Sequence, residues 1–126
     1  MDLFQYTELP NSQSIRILTL HPGSYHDEIT CSLSVSQLDN LEKYEAISYT
    51  WGDAKIAEEI SVGDSRLAIT TNLIGALRRF RLEDRDRKLW ADAICINQHN
   101  LSERSQQVGI MRDIFQKASR TFVWLG

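Results

Sequence analysis

The sequence predicts an α/β domain with a mostly parallel sheet, and two observations support this prediction. The first is a nearly continuous apolar run from Leu89 to Ile96, interrupted only by Asp92. Such a run is too continuous for a half-exposed strand and too short for a buried helix, so a central strand covered on both faces fits best. The second is the order helix, buried strand, helix, buried strand between residues 71 and 125, which is typical of a parallel βαβ unit.

The composition is that of one soluble domain. The chain has 126 residues, of which 42% are hydrophobic, so it can bury a sizeable core. Its net charge of −3 argues against nucleic acid as a partner, because binding to phosphates needs a basic face. No stretch has the roughly 18 apolar residues of a membrane span, and no signal peptide is recognisable. Cys31 and Cys95 are expected to be reduced, buried thiols of a cytoplasmic protein.

The first half of the chain predicts strands. Residues 1–14 form a polar segment rich in turn formers. Residues 15–20 and 29–35 alternate between apolar and polar side chains, and we expect these two strands to pair antiparallel across Pro22-Gly23. Residues 44–51 are expected to form a third strand.

An inserted hairpin and a helix follow. Residues 60–69 alternate around Gly63-Asp64-Ser65, which is a hairpin signature with its turn residues in place. Thr71 or Asn72 is expected to cap the helix. Its apolar stripe comprises Leu73, Ala76, Leu77 and Phe80. Gly75 costs up to about 1 kcal/mol relative to alanine inside a helix, and close packing against the sheet would be the structural reason to keep it.

The remaining elements are a charged connection, a second helix and a last strand. Residues 81–88 mix four cations with three acids, which predicts a solvated loop and not a nucleic-acid surface. Asn100 is expected to cap the second helix, with Glu103 completing a capping-box pair. The predicted apolar stripe of this helix comprises Leu101, Val108, Met111, Ile114, Phe115 and Ala118. Because no helix follows the last strand, we expect Phe122 or Trp124 to be partly exposed and to favour association.

Several kinds of chemistry find no support in the sequence. Cys95 and His99 are four residues apart, but no second Cys/His pair occurs at zinc spacing, so no metal site is predicted. A nucleophilic Cys95 would need an adjacent base, and its apolar surroundings favour an inert thiol. Gly52 and Gly63 stand alone, so there is no glycine-rich phosphate loop. We assign no catalytic residue and no cofactor.

Polar residues lie in and after the apolar run. In open parallel sheets, ligands bind just beyond the carboxyl ends of the strands, where Asp92, Asn97 and Gln98 are expected. Two interpretations of Asp92 stand: a buried carboxylate satisfied by backbone amides or by Arg104, or a polar group that lines a ligand crevice. Asn97 and Gln98 are either crevice residues or turn formers that lead into the second helix.

The third predicted strand ends in a similar set of residues. Ser48, Tyr49, Trp51 and Gly52 lie at or just after its carboxyl end. If the two strands are neighbours in a parallel sheet, these residues either line the same crevice or pack its wall. The candidate crevice therefore comprises Ser48, Tyr49, Trp51, Gly52, Asp92, Asn97 and Gln98.

Two blocks of the sequence resemble a known family. Residues 44–53 (YEAISYTWGD) resemble the first signature block of the fungal heterokaryon-incompatibility (HET) domain, and residues 89–98 (LWADAICINQ) resemble the second. The segments at 69–78 and 103–125 resemble the family's linking helix and downstream region. The resemblance covers residues 15–126, and its two long blocks occur in the family's order.

The resemblance implies a function. It implies a role in non-self recognition between fungal individuals that leads to programmed cell death, with protein partners or self-association. The family's third signature block would lie beyond Gly126. We therefore expect residues 15–126 to be the N-terminal part of a HET domain, truncated before that block and without activity by itself.

The HET domain is also distantly similar to TIR domains, which are flavodoxin-like. Under this comparison, residues 44–53 correspond to the first TIR strand and the loop after it. Some TIR domains cleave NAD with a glutamate on a later helix, which would lie beyond Gly126 in the complete domain. The resemblance thus carries an alternative function: part of an NAD-cleaving effector, with NAD as substrate of the complete domain.

Overall fold

Seven strands form one mixed sheet in the computed structural model, which describes residues 2–50 and 57–125. The elements are β1 (Ser14–Leu20), β2 (Thr30–Gln37), β3 (Glu45–Tyr49), β4 (Ala57–Val62), β5 (Ser65–Thr70), α1 (Thr71–Phe80), β6 (Arg87–Trp90), α2 (Asp92–Cys95), α3 (Leu101–Lys117) and β7 (Thr121–Trp124). The strand order is β5-β4-β2-β1-β6-β3-β7. The predicted α/β class is therefore confirmed.

The parallel part of the sheet is the predicted βαβ region. Strand β3 lies between β6 and β7 and runs parallel to both. Its residue Ala46 is opposite Trp90 of β6 and Thr121 of β7. Along the chain, β3 comes first; β6 then pairs on one side of it, and β7 pairs on the other side.

The sheet is less parallel than predicted. The N-terminal pair and the hairpin belong to the same sheet, and β1 pairs antiparallel with both β2 and β6. The hairpin β4–β5 is antiparallel, whereas β2 and β4 are parallel. Half of the six pairings among the described residues are antiparallel, so "mostly parallel" was wrong. The hairpin turn itself is as predicted: Val62 is opposite Ser65, and Gly63 has the positive φ of 58° that such turns require.

The apolar run from Leu89 to Ile96 is buried as predicted, but it is not one strand. Strand β6 ends at Trp90, and residues 92–95 form one helical turn in which the amides of Ile94 and Cys95 donate to the carbonyl of Ala91. Burial on all sides removes the periodicity that would distinguish a strand from a helix. The acid at Asp92 begins the turn, a position where negative charge is favourable.

Helix α1 begins one residue earlier than expected. Its N-cap is Thr70, whose side chain accepts from the amide of Leu73 at 3.3 Å, so the prediction of Thr71 or Asn72 was wrong by one or two residues. The apolar stripe faces the sheet as predicted. A Cβ on Gly75 would lie 3.5 Å from the Trp124 ring, which is an ordinary van der Waals contact, so close packing does not require a glycine at this position.

Helix α3 is capped by Asn100 as predicted, but its buried face differs. Asn100 Oδ1 accepts from the amide of Glu103 at 3.1 Å. The predicted stripe was partly wrong, because Leu101 is 73% and Val108 58% exposed. The buried residues of this helix are Glu103, Gln107 and Ile114, with Met111, Phe115 and Ala118 partly buried against the core.

The aromatic residues of β7 are partly exposed, as expected. Phe122 stacks on Phe80 of α1 with ring centroids 4.3 Å apart, and Trp124 packs edge-on against the same ring. Val123 (67%) and Leu125 (84%) at the same end of the chain are more exposed. Among the described residues, no helix is long and apolar enough to cross a membrane.

Candidate functional site

The carboxyl ends of β3 and β7 meet at the point where the order of the parallel strands reverses. Tyr49, the last residue of β3, is opposite Trp124, the last residue of β7. In open α/β sheets this reversal opens a crevice beyond the strand ends, which is where ligands bind. The predicted location of the site therefore coincides with a topological switch point of the sheet.

The start of α1 is tied to both of these strand ends. Asn72 donates from Nδ2 to the carbonyl and to Oγ1 of Thr50, the residue after β3. Its Oδ1 accepts from the indole Nε1 of Trp124 at 3.2 Å. We predicted Asn72 only as a possible helix cap, because a single sequence gives no sign that its amide bridges two strands.

Tyr49 and Asp92, two of the predicted crevice residues, are brought together. Burial raises the pKa of the Tyr49 hydroxyl, and the nearby carboxylate of Asp92 raises it further. That hydroxyl is buried, although no residue within 2–50 or 57–125 gives it a hydrogen bond of normal geometry. The phenol of Tyr49 and the carboxylate of Asp92 thus lie close to each other beside the switch point.

The predicted structural partner of Asp92 does not contact it. Arg104 is exposed on α3, and no salt bridge joins it to Asp92. Asp92 is half-buried, and its backbone carbonyl accepts from the side chain of Gln98 at 2.9 Å and from the amide of Ile96. Its carboxylate is thus not held by the arginine that the sequence suggested, and its place in a ligand crevice stays a prediction.

The other predicted crevice residues do not join Tyr49 and Asp92 in one group. Asn97 is a turn former: its Oδ1 accepts from the amide of His99 at 3.2 Å. Ser48 is exposed and points to the opposite face of β3 from Tyr49, because successive side chains of a strand alternate. Trp51 and Gly52 lie outside the described residues.

A concavity of about 290 Å³ lies beside the helical turn α2. Its lining includes Gln98 from the predicted set, together with Tyr6 and His99, which sequence reasoning missed. The full lining comprises Tyr6, Ala57, Leu67, Ala68, Ile69, Thr70, Ala93, Gln98 and His99. Mainly apolar walls with a few polar groups are typical of a small-molecule site.

A buried ion pair holds the second block in place. Arg16 of β1 donates from Nη1 and Nη2 to the two carboxylate oxygens of Glu103, each at 2.8 Å. The same guanidinium donates to the carbonyl of Cys95 at 3.1 Å and to that of Thr7 at 2.7 Å. Glu103 also accepts from the amide of Asn97 at 2.6 Å. The Glu103 carboxylate thus accepts from the amide of Asn97, in the turn before α3. The capping-box prediction required it to accept from the amide of Asn100, so that part of the prediction was wrong.

The N-terminal segment contributes Tyr6 to this cluster. Its hydroxyl donates to the carbonyl of Ile94 at 2.6 Å, and its ring lies 4.8 Å from the guanidinium carbon of Arg16. Burial raises the pKa of Tyr6, and it raises the pKa of Cys95 to about 12. Cys95 is therefore a protonated thiol at neutral pH, as its interpretation as an inert residue requires. In the parts of the chain that the structure describes, no three His, Cys, Asp or Glu residues converge as a metal site would need.

Comparisons with known proteins identify the family. A family model described as Heterokaryon incompatibility protein (HET) matches residues 44–126, which include both signature blocks. The chain is 39% identical over 142 aligned positions to Heterokaryon incompatibility protein 6, OR allele, of Neurospora crassa, in an alignment that covers 99% of this chain and 21% of that protein. The chain thus spans about a fifth of the length of this curated relative. No solved structure matches. The chain belongs to the HET family.

Proposed function

We propose that this chain is part of a protein of heterokaryon incompatibility, acting in non-self recognition that leads to cell death. The observation that carries the proposal is the family match over residues 44–126. It is supported by the similarity to Heterokaryon incompatibility protein 6 of Neurospora crassa, which aligns with nearly the whole chain. The chain's own contribution is the sheet edge where β3 and β7 end, with Tyr49 and Asp92 beside it.

A flavodoxin-like, TIR-like fold is part of this proposal. The parallel strands occur in the spatial order second, first, third, since β3 lies between β6 and β7. This is the order with which flavodoxin-like sheets begin, and their ligands bind at the switch point it creates. The antiparallel strands β1 and β2 extend the sheet beyond β6, where such folds would have an edge.

We further propose that the chain has no effector activity by itself. Glu103 is the glutamate closest in sequence to the second block, and its carboxylate is bound by Arg16 and by the amide of Asn97. It is therefore not free to act on a ligand. Asp92 is the acid of the candidate crevice, and its side chain forms no salt bridge with the described residues.

A chimera tests this proposal. The aligned part of the Neurospora crassa relative is replaced with this chain, and heterokaryons are formed between strains of incompatible specificity. We expect the chimera to abolish viable heterokaryons, and the chain expressed alone to leave them viable. A stably expressed chimera that leaves heterokaryons healthy would contradict the role in incompatibility. Cell death caused by the chain alone would contradict only the lack of independent activity.

An NAD-cleaving enzyme is the second candidate function. The observation that favours it is the polar Tyr49–Asp92 pair at the switch point, which could orient the ribose of a nucleotide. Incubating the purified chain with NAD and following nicotinamide release tests it. Robust turnover that is lost in Asp92→Asn would support the enzyme and overturn the inactivity proposed above.

A further inference from the structure

A second concavity lies at the opposite edge of the three parallel strands, where β3, β6 and β7 begin. Its volume is about 260 Å³. The lining residues come from the connections before the three strands and from the strand starts themselves. They are Lys43, Tyr44, Glu45, Leu82, Arg85, Asp86, Arg87, Lys88 and Arg120. None of them belongs to the candidate crevice at the carboxyl ends of the same strands.

Positive charge dominates this concavity although the whole chain is acidic. Five lysines and arginines line it against two carboxylates, whereas the chain carries a net charge of −3. The sequence predicted a solvated loop of mixed sign at residues 81–88. Folding adds Lys43 and Arg120 from other parts of the chain, so the charges that cancel along the sequence do not cancel in space.

Glu45 orients the two arginines at the centre. It accepts from Nε and Nη2 of Arg87 at 2.7 and 3.2 Å, and its second oxygen lies 2.9 Å from Nε of Arg120. The hydrogen bond from Arg87 holds the pKa of Glu45 below its ordinary value, and the charges of Arg87, Arg120 and Lys43 lower it further. Arg87, Arg120 and Lys43 therefore surround the carboxylate of Glu45, and the two arginines are held by ion pairs with it.

Donors remain available around this centre. Arg120 lies against Glu45 through Nε, and its side chain is 63% exposed, so its guanidinium is accessible to a ligand from solvent. Lys43 forms no salt bridge with any residue that the structure describes. The acids nearby have partners: Asp86 lies 3.2 Å from His21, and Asp84, outside the lining, pairs with Arg85. A planar guanidinium beside an ammonium group suits the geometry and charge of a phosphate.

We propose that this concavity binds the phosphate group of a ligand carrying at least two negative charges, with Arg120 and Lys43 as its main contacts. Glu45 keeps Arg120 in position before the ligand arrives, which reduces the entropy lost on binding. The opening is large enough for a phosphate and part of the group that carries it. The same chemistry is presented by a soluble phosphate ester and by a phosphorylated lipid headgroup.

Calorimetric titration of the full chain with inorganic pyrophosphate tests the proposal. We expect saturable binding with a Kd of about 1 mM or tighter at low salt, weakening as ionic strength rises. The double variant Lys43→Gln/Arg120→Gln should lose on the order of tenfold in affinity. The matched control Arg104→Gln/Arg112→Gln removes two exposed cations from α3 and should stay within about twofold. Absence of saturable binding, or equal losses in both double variants, would overturn the proposal.

A gain-of-affinity variant makes the test independent of folding defects. Asp86→Asn removes one of the two carboxylates that line the concavity and should tighten pyrophosphate binding about threefold. An unchanged or weaker affinity in this variant would count against an electrostatic site. Sedimentation with phosphatidylcholine vesicles containing phosphatidylinositol bisphosphate then assigns the source of the phosphate. Co-sedimentation that pyrophosphate reverses indicates a lipid headgroup, and pyrophosphate binding without co-sedimentation indicates a soluble ligand.

Discussion

Arg16 joins three parts of the chain through one guanidinium. It contacts Glu103 on α3, the carbonyl of Cys95 in the second block and the carbonyl of Thr7 in the N-terminal segment. Both charges are buried, so each depends on the other for compensation. Sequence reasoning brought together Tyr49 and Asp92, because both lie at predicted strand ends, but no local pattern links Arg16 to a residue 87 positions away.

Removing one member of this ion pair should destabilise the fold strongly. We expect Arg16→Met to lower the free energy of unfolding by about 3–5 kcal/mol, because Glu103 is left as an uncompensated buried charge. The double variant Arg16→Met/Glu103→Leu should recover much of this loss, since neither charge then remains. Urea denaturation followed by circular dichroism measures both. A single variant within 1 kcal/mol of the wild type would show that the pair is not buried in solution.

The hydroxyl of Tyr49 can be tested against that of Tyr44. Tyr49→Phe removes a buried hydroxyl without a hydrogen-bond partner among the described residues, so the free energy of unfolding should change little or rise by up to about 1 kcal/mol. Tyr44→Phe removes a hydroxyl that donates to the carbonyl of Ile114, and should cost about 1–3 kcal/mol. Thermal denaturation of both variants provides the comparison. A loss in Tyr49→Phe as large as that in Tyr44→Phe would indicate a hydrogen bond from Tyr49 to Asp92.

At the scale of elements, the boundary between β6 and α2 shows where prediction fails. Burial of residues 89–96 was predictable from composition, but their conformation was not. The switch from strand to helical turn at Ala91 is fixed by what surrounds it: β6 pairs with β1 and β3, and Arg16 binds the carbonyl at the end of the turn. The buried face of α3 was predicted wrongly for the same reason, namely a long-range contact. The ion pair with Arg16 of β1 turns Glu103 inward, and Leu101 is left exposed.

The ion pairs of Glu45 connect β3 with β6 and with the start of β7, and they should make stability depend on pH. Because its folded-state pKa lies below the ordinary value of 4.5, Glu45 stabilises the fold fully above that pH. The contribution declines as the pH falls through the folded-state pKa. We expect Glu45→Gln to be less stable than the wild type at pH 7, with a difference that shrinks below about pH 4.5. Denaturation curves between pH 7 and strongly acidic pH test this, and a difference that grows on acidification would contradict it.

For the whole molecule, the parallel βαβ region was predictable and the sheet order was not. Residues 71–125 contain their own signals, namely two capped helices and two apolar strands. Strand β1 could be recognised, yet nothing in its sequence shows that its second edge pairs with β6, roughly seventy residues later along the chain. Local periodicity specifies elements, and long-range pairing depends on burial that only the assembled molecule defines.

Strand β7 is an edge of the sheet formed by the described residues, and self-association is expected there. Val123 and Leu125 are exposed next to unpaired backbone groups, a combination that favours pairing between chains. We expect sedimentation velocity to show association that grows with concentration and that Val123→Lys reduces. The control Val108→Lys changes an exposed valine on the helix α3, which has no unpaired strand edge, and should leave association unchanged. Monomeric behaviour of the wild type at high concentration would contradict this prediction.

The ion pair of Arg16 also bears on where the folding unit begins. The family's sequence signature starts at Tyr44, but Arg16 and the strand that carries it lie before that point. A fragment starting at residue 44 would lack the antiparallel neighbour of β6 and would leave Glu103 buried without its cation. Such a fragment would contain both signature blocks, and we expect it not to fold stably. We therefore expect the minimal stable unit of this protein to be longer than the stretch that matches the family model.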